Sequence, residues 1–137
     1  MLADGDTRVT YTPNRPQAAF HQDKRPWRWF CGGYGVGKTT LGVIEAFTLA
    51  TITHPGYIGC VAAPTYVLLN QAFFTEWCQW IPQDWWTRHD DSKKGSELRV
   101  RTRDGQTSRI LLRSTSNPSS NEGFNGAWLL FDEASRE

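Results

Sequence analysis

The chain has 137 residues and a mass of 15.6 kDa, which is enough for one domain with a hydrophobic core and short for two. With 39% hydrophobic residues, 21% charged residues and a net charge of +1, the composition indicates a soluble globular domain and excludes a disordered chain. The sequence has no apolar run of about 18 residues and no secretory signal, so we expect no membrane span, no membrane partner and a cytoplasmic location.

The first part of the chain is predicted to be an arm followed by a strand, a loop and a helix. Residues 1–16 are polar and contain two prolines, which favours an extended arm, and residues 17–21 follow as a turn or short helix. The aromatic run at 27–31 is typical of a strand, and a glycine-rich loop follows it. The apolar positions of residues 38–53 cover most of a helical circumference, so we predict a helix buried on more than one side.

A second strand and a second helix follow. Residues 57–63 form an unbroken apolar run, which is typical of a parallel strand covered on both faces, and Pro64 ends it. Residues 67–80 repeat apolar positions with a helical period, and Pro82 closes the pattern. The order strand, helix, strand, helix predicts an α/β fold.

Residues 98–113 change to a period of two, which predicts an antiparallel hairpin with Asp104 and Gly105 at its turn. One face of this hairpin is predicted to be basic, because five of the eleven arginines of the chain lie within it. They are Arg99, Arg101, Arg103, Arg109 and Arg113. Such a face is suited to a phosphate backbone, or to a solvated edge ribbon whose charges prevent strand pairing, and both interpretations stay open. A last strand is predicted at 127–131.

A phosphate-binding loop is the most specific motif of the sequence. It matches G-x-x-x-x-G-K-[ST] at every fixed position and lies between the predicted strand at 27–31 and the predicted helix at 38–53. Its glycines let backbone N–H groups surround phosphate oxygens, Lys38 suits the β and γ phosphates, and the hydroxyl of Thr39 suits Mg²⁺. The predicted nucleotide-binding residues are Gly32, Gly33, Tyr34, Gly35, Val36, Gly37, Lys38, Thr39 and Thr40.

Two carboxylates follow the last predicted strand. A phosphate loop needs a carboxylate that holds Mg²⁺ at the end of a neighbouring apolar strand, and Asp132 fits this position. Glu133 is suited to orient or deprotonate the attacking water, which favours hydrolysis over transfer to a second substrate. We therefore predict Lys38 and Glu133 as catalytic residues, Thr39 and Asp132 as Mg²⁺ ligands, and ATP and Mg²⁺ as cofactors.

Other residues give weaker indications. The amide of Gln17 can pair with an adenine edge while Tyr11 or Phe20 stacks on the base, and an exposed glutamine on a short helix is the alternative. The seven tryptophans fit a core or a contact surface, and the three histidines are given no ligand role. Buried free thiols are predicted for all three cysteines, Cys31, Cys60 and Cys78.

Taken in order, these motifs resemble the N-terminal ATPase domain of the large terminase subunit, the DNA-packaging motor of tailed bacteriophages. The resemblance covers residues 11–137. It is carried by Pro13 and Gln17, the phosphate loop, Ala63-Pro64-Thr65, Arg113-Ser114 and the run from Leu129 through Asp132 and Glu133 to Ala134. It implies a P-loop NTPase of the additional-strand, RecA- and helicase-like class, with a mostly parallel sheet flanked by helices. Residues 1–16 are then the arm and residues 17–137 the ATPase core.

The resemblance also implies a function, which is ATP hydrolysis that drives viral double-stranded DNA into a capsid. Gln17 is then near adenine, and residues 63–65 begin the segment that couples nucleotide state to DNA grip. The implied partners are double-stranded DNA, a portal protein, a small terminase subunit and further copies of the chain in a ring. The implied location is the cytoplasm of the bacterial host, on the procapsid. The DNA-contact candidates are Arg99, Arg101, Arg103 and Arg109.

The sequence departs from the family pattern in three ways. Many terminases carry an arginine in the phosphate loop where this chain has Tyr34. The segment at 119–123 offers no arginine that could act on a neighbouring subunit, which leaves Arg113 and Arg136 as candidates. The additional strand and the nuclease domain are not found, so we expect one incomplete ATPase domain at residues 1–137. The alternatives are a helicase-like DNA-dependent ATPase of another family and a non-catalytic nucleotide-binding or assembly fragment.

Overall fold

The computed structural model describes residues 11–22, 38–91, 95–115 and 126–131, in which the helices precede residue 86 and all strands but one follow residue 85. The helices are α1 (Arg15–Gln22), α2 (Lys38–Thr48), α3 (Tyr66–Leu68) and α4 (Thr75–Trp80). The strands are β1 (Ile58–Ala63), β2 (Trp86–Asp91), β3 (Gly95–Arg101), β4 (Thr107–Ser114) and β5 (Trp128–Phe131). A π-helical turn at Leu49–Thr53 extends α2, and a second at Leu69–Phe74 joins α3 to α4.

The helices lie where the apolar period predicts them. The helix predicted at 38–53 is confirmed by α2 and its π-helical turn, and the helix predicted at 67–80 is confirmed by the run from α3 to α4. Thr65 sets the start of α3, because its hydroxyl oxygen accepts the backbone N–H of Leu68 at 3.1 Å. After α2, Gly56 has a φ of +84° and turns the chain towards β1.

The five strands form one mixed sheet in the order β2-β3-β4-β1-β5. β1 pairs in parallel with β4 and β5, whereas β3 pairs in antiparallel fashion with β2 and β4. The expectation of a mostly parallel sheet is therefore not confirmed as stated, because the described sheet is mixed and β3 runs against its two neighbours. The physical reason is the tight turn at Gly105, which can only reverse the chain direction between β3 and β4.

The predicted hairpin is confirmed, but it is not a free ribbon. Its second strand, β4, lies at the centre of the sheet between β3 and β1. The edge position belongs to β2, a strand that the sequence pattern did not predict. Arg88 of β2 lies over the ring of Phe74 at 4.4 Å and donates to the side-chain oxygen of Asn70 at 2.9 Å, so helix contacts hold this polar strand in place.

The hydrophobic core lies between α2, α4 and one face of the sheet. Side chains alternate across a strand, so every second residue of β1, β3 and β4 points to this face. The described helices flank this one face. The core includes Val43, Phe47, Phe73 and Trp77 from the helical segments and Val61, Leu98, Ile110, Leu112 and Trp128 from the strands. Gly59 of β1 lies beside Trp128 of β5, and a Cβ atom added there would lie 1.9 Å from the indole ring.

The aromatic residues and cysteines divide between core and surface. Trp77 and Trp85 are buried, which favours the core interpretation of the tryptophans. Cys60 is a buried free thiol as predicted, whereas Cys78 is exposed, so the prediction of a buried thiol is wrong there. The reason is helical geometry, because Cys78 follows the buried Trp77 by one position and so points away from the core. The predicted strand at 27–31, with Trp27 and Cys31, lies outside the described residues.

Candidate functional site

The carboxyl ends of three parallel strands meet at one edge of the sheet. The register pairs Ala63 of β1 with Ser114 of β4, and Ala62 of β1 with Phe131 of β5. The Ser114 hydroxyl donates to the carbonyl of Pro64 at 3.1 Å, which ties the loop after β1 to the end of β4. In open α/β sheets ligands bind beyond the carboxyl ends of the strands, so this edge is the candidate site.

The phosphate-loop motif meets the described structure at the start of α2. Lys38 is the first residue of this helix, and Thr39 and Thr40 lie in its first turn, half-buried. The first N–H groups of an α-helix have no intrahelical partners and carry partial positive charge, which suits an anion. Of the predicted loop, Gly32, Gly33, Tyr34, Gly35, Val36 and Gly37 lie outside the described residues.

Glu76 is a residue near this site that the sequence did not single out. Its carboxylate accepts a long hydrogen bond, 3.4 Å, from the hydroxyl of Thr40. Glu76 lies in α4, in the helical run that follows residues 63–65, so the contact joins that run to the start of α2. No sequence signal indicates this pairing, because the two residues are 36 positions apart.

The two predicted carboxylates and one of the two candidate trans-acting arginines lie outside the described residues. Asp132 and Glu133 directly follow Phe131, the last residue of β5 at the carboxyl edge. Arg136 also falls outside. Within residues 11–22, 38–91, 95–115 and 126–131, no group of three or more histidine, cysteine, aspartate or glutamate side chains could hold a metal ion.

Gln17 caps the start of α1. Its backbone N–H donates to the side-chain oxygen of Asn14 at 2.9 Å, and its own side-chain oxygen accepts the backbone N–H of Asn14 at 2.9 Å. This reciprocal pair is a capping box. Gln17 is buried, so the interpretation of an exposed glutamine is wrong. The bond of its amide oxygen to the backbone N–H of Asn14 turns the side chain back onto the start of its own helix instead of out into solvent. Its role near adenine stays a prediction.

A line of hydrogen bonds joins α1 to α2. Nδ1 of His21 lies 2.9 Å from Oε2 of the buried Glu45, and because a carboxylate accepts, this nitrogen is the donor. Nε2 of the same ring lies 3.1 Å from the hydroxyl of Tyr11. Burial raises the pKa of the Tyr11 hydroxyl, and the charge of Glu45 adds to the rise. The ring of Tyr11 also packs edge-on against Trp80, with centroids 5.6 Å apart.

The basic face of the hairpin is partly neutralised. Glu97 accepts from Nε of Arg99 at 2.8 Å, and from Nη2 and Nε of Arg109 at 2.7 Å and 2.9 Å. Hydrogen bonds from Arg109 hold the pKa of Glu97 at about 2. Arg101 donates to the backbone carbonyl of Asp84 at 2.6 Å, and Arg103 is exposed in the turn. The predicted run of positive charge therefore contains one carboxylate that sequence spacing alone did not reveal.

Arg113 differs from the other hairpin arginines because it is buried. Its Nη1 donates to the backbone carbonyls of Ser96 and Leu112, each at 3.0 Å. Its guanidinium is therefore engaged within its own chain. Residues on strand β4 alternate between exposed and buried only as far as Ile110, after which the central position of the strand buries both faces.

Comparison with known proteins identifies the fold. No protein-family model and no curated protein matches the sequence, whereas solved structures do. The ATPase domain of the large terminase of Thermus phage P74-26 is 22% identical, with a TM-score of 0.69 over 90% of this chain and 54% of that chain. The large terminase of the thermophilic bacteriophage D6E is 19% identical, with a TM-score of 0.69 over 91% of this chain and 33% of that chain.

A structure of the D6E large terminase in complex with ADP also matches, at 18% identity and a TM-score of 0.69, over 92% of this chain and 33% of that chain. The chain thus spans between a third and about half of the length of these structures. It has the fold of a phage large-terminase ATPase domain, and the resemblance seen in the sequence is confirmed for the fold. None of the helices that the structure describes has the length and apolar character needed to cross a bilayer.

Proposed function

We propose that this chain binds ATP and Mg²⁺ through its phosphate loop and hydrolyses ATP as the ATPase part of a terminase motor that drives double-stranded DNA into a capsid. One observation carries the proposal. Lys38, the lysine of the phosphate-loop motif, is the first residue of α2 in a chain with the fold of phage large-terminase ATPase domains. The match of sequence motif, helix start and fold supports a P-loop NTPase.

The described part of the proposed nucleotide site fits a triphosphate. The first turn of α2 offers N–H groups and the positive end of a helix, and Lys38 adds a full charge. Thr39 and Asp132 are the residues that would hold Mg²⁺, which when bound neutralises charge on the phosphates. Glu133 would accept a proton from the attacking water, so it acts in hydrolysis and not in binding.

Hydrolysis and binding by point variants test this proposal. We expect Lys38→Ala to lose nucleotide affinity, with Lys93→Ala as the matched control. We expect Glu133→Gln to bind ATP and to hydrolyse it about a hundredfold more slowly or worse, with Glu137→Gln as the matched control. Equal ATP binding by wild type and Lys38→Ala would reject the phosphate-loop assignment. ATP binding without any turnover in the wild type would favour a non-catalytic nucleotide-binding fragment.

The proposed DNA contact uses the exposed hairpin arginines, and Glu97 makes it testable. Because Glu97 offsets one of the two positive charges of Arg99 and Arg109, Glu97→Gln adds one net positive charge to this face and should tighten duplex binding. Arg103→Gln should weaken duplex binding at every sequence and lower the slope of log affinity against log salt by about 1. Unchanged duplex affinity and salt slope in both variants would favour a solvated face without a DNA role.

The remaining partners follow from the motor proposal. They are a portal protein, a small terminase subunit and further copies of the chain in a ring, in the bacterial host cytoplasm. ATPase stimulation separates this motor from a helicase-like ATPase of another family. We expect portal protein or small terminase to raise turnover. Stimulation by unwinding substrates instead would favour the helicase-like alternative.

A further inference from the structure

We infer that Glu76 competes with bound nucleotide for the hydroxyl of Thr40, and so sets how tightly the proposed site holds phosphate groups. The inference rests on the proposed function, in which Thr40 is one of the nucleotide-binding residues. Its evidence is the contact of the Glu76 carboxylate with the Thr40 hydroxyl, 3.4 Å from oxygen to oxygen, in the first turn of the helix that begins with Lys38.

The packing of α4 on α2 fixes the position of Glu76. Its neighbour Trp77 is fully buried, and the centroid of its ring lies 6.1 Å from that of Phe47 in α2. Phe47 follows Thr40 by seven positions, which is about two helical turns, so both lie on the side of α2 that faces α4. The aromatic contact therefore anchors α4 where the carboxylate of Glu76 reaches the first turn of α2.

Glu76 has no basic partner within the described part of the chain. The ion pairs of that part involve other carboxylates, those of Glu45, Asp90 and Glu97. Glu76 and Thr40 are both half-buried, so water and salt screen the charge less than on an open surface. The positive end of α2 partly offsets this charge. The carboxylate therefore lies in the electrostatic environment that also favours a phosphate group.

The Thr40 hydroxyl has a single proton to donate. Carboxylate and phosphate oxygens act as acceptors at neutral pH, so the hydroxyl can donate to Glu76 or to a phosphate, and not to both. A phosphate that takes this proton leaves Glu76 without its donor and close to a second negative charge. Both effects weaken the binding of phosphates and leave the base of the nucleotide untouched. Glu76 therefore favours release of the nucleotide.

Affinities of point variants for two phosphate ligands test the inference. We would measure the binding of the Mg²⁺ complexes of ATP and of inorganic tripolyphosphate, which has no base, to wild type, Glu76→Gln and Asp84→Asn. We expect Glu76→Gln to bind both ligands about tenfold more tightly, because a neutral amide accepts the hydroxyl proton less strongly and does not repel phosphate. Asp84→Asn is the matched control, because it removes an equal charge from an exposed position and should leave both affinities unchanged.

A double-mutant cycle tests whether Glu76 acts through Thr40. Thr40→Val keeps the shape of the side chain, removes the hydroxyl and should itself weaken phosphate binding. In this background we expect Glu76→Gln to improve either affinity by no more than about twofold. A tenfold gain that persists without the hydroxyl would overturn the inference, because the carboxylate would then act only through its charge.

The sign of the effect separates competition from a folding defect. A folding defect lowers both affinities, whereas competition predicts a gain, and urea titration checks that each variant is folded. Glu76→Ala removes the acceptor altogether and should give at least the gain of Glu76→Gln. Affinities equal to or below those of wild type in both variants would overturn the inference. A gain for ATP without a gain for tripolyphosphate would also overturn it, because the effect would then come from the base.

Failure of the proposed function has a different signature. Wild type would then bind neither ATP nor tripolyphosphate, or Lys38→Ala would bind both as well as wild type does, and either result would overturn the inference together with the function. Failure of the inference alone leaves phosphate binding dependent on Lys38 and independent of Glu76.

Discussion

A glycine-to-alanine pair tests the packing of the sheet edge on which the proposed carboxylates depend. Gly59 of β1 lies beside Trp128 of β5, and an added Cβ atom would lie 1.9 Å from Cε2 and 2.2 Å from Cζ2 of the indole. Carbon atoms pack at about 3.5–4.0 Å, so Gly59→Ala must displace the ring by about 2 Å. Trp128 is a rigid and buried side chain, and it cannot turn aside without moving β5.

The size of the effect follows from two opposing terms. Overpacking of a core costs about 1–3 kcal/mol, and alanine regains about 0.5–1 kcal/mol over glycine in a strand. We therefore expect Gly59→Ala to lower the free energy of unfolding by about 1–2 kcal/mol, which in a domain of this size lowers the Tm by roughly 4–8 °C. Hydrolysis should fall further than nucleotide affinity, because Glu133 follows β5 whereas Lys38 begins α2.

Gly42→Ala is the matched control, because the same chemical change causes no clash there. A Cβ atom at Gly42 in α2 would have its nearest neighbour, Cδ2 of Leu130, at 3.7 Å, an ordinary contact. Alanine is better than glycine in a helix by about 1 kcal/mol, so this variant should raise the Tm by roughly 4 °C. The two substitutions are thus expected to move the Tm in opposite directions.

Thermal unfolding and urea titration, with Trp128→Leu as a second background, measure these effects. Removing the indole should relieve the clash, so Gly59→Ala should cost less stability beside leucine at position 128 than beside tryptophan. The reasoning is refuted if Gly59→Ala leaves the Tm unchanged, or if it costs the same in both backgrounds.

Three further predictions concern other parts of the fold. Ser108→Ala should lower the free energy of unfolding by about 2–3 kcal/mol, because the buried hydroxyl accepts a backbone N–H and donates to a backbone carbonyl. Urea titration measures this loss, and Thr107→Ala, at an exposed neighbouring position, should change the free energy of unfolding little. Folding lowers the pKa of Glu97 to about 2, so its ion pairs stabilise the protein fully above about pH 4.5, and this contribution is lost as the pH falls to 2. The Tm of Glu97→Gln should therefore depend less on pH between 4.5 and 2, and its free energy of unfolding at pH 7 should be lower by about 1 kcal/mol. Burial raises the pKa of Cys60 to about 11, so iodoacetamide at pH 8 followed by peptide mapping should label Cys78 and not Cys60, and equal labelling would contradict the burial.

Much of the fold follows from local patterns in the sequence. The apolar period and the stop signals predict the helices at 38–53 and 67–80, and the alternation at 98–113 predicts the β3–β4 hairpin. These patterns work because helices and strands bury one side at fixed periods of 3.6 and 2 residues. β2 escapes prediction because it is a polar edge strand, and its register depends on β3 and on the contact of Arg88 with Phe74.

The candidate site also has a part that the sequence predicts and a part that only the structure shows. The phosphate loop and the Asp132–Glu133 pair are read directly from the sequence, since close spacing along the chain carries their chemistry. The contacts of His21 with Glu45 and of Thr40 with Glu76 join residues 24 and 36 positions apart, and spacing at that distance indicates nothing. The capping box of Gln17 has a sequence signal, Asn14 three residues before it, which neither base recognition nor an exposed glutamine takes into account.

The sequence by itself therefore determined the two long helical segments, the β3–β4 hairpin, the phosphate-binding motif and their order, because these depend on neighbours along the chain. The tertiary structure decided the central position of β4, the burial of Arg113 and the ion pairs of Glu97 with Arg99 and Arg109. Each of these depends on which strands pair and in what register. Register sets which side chains face one another across a sheet, and that is fixed only when the whole core is packed.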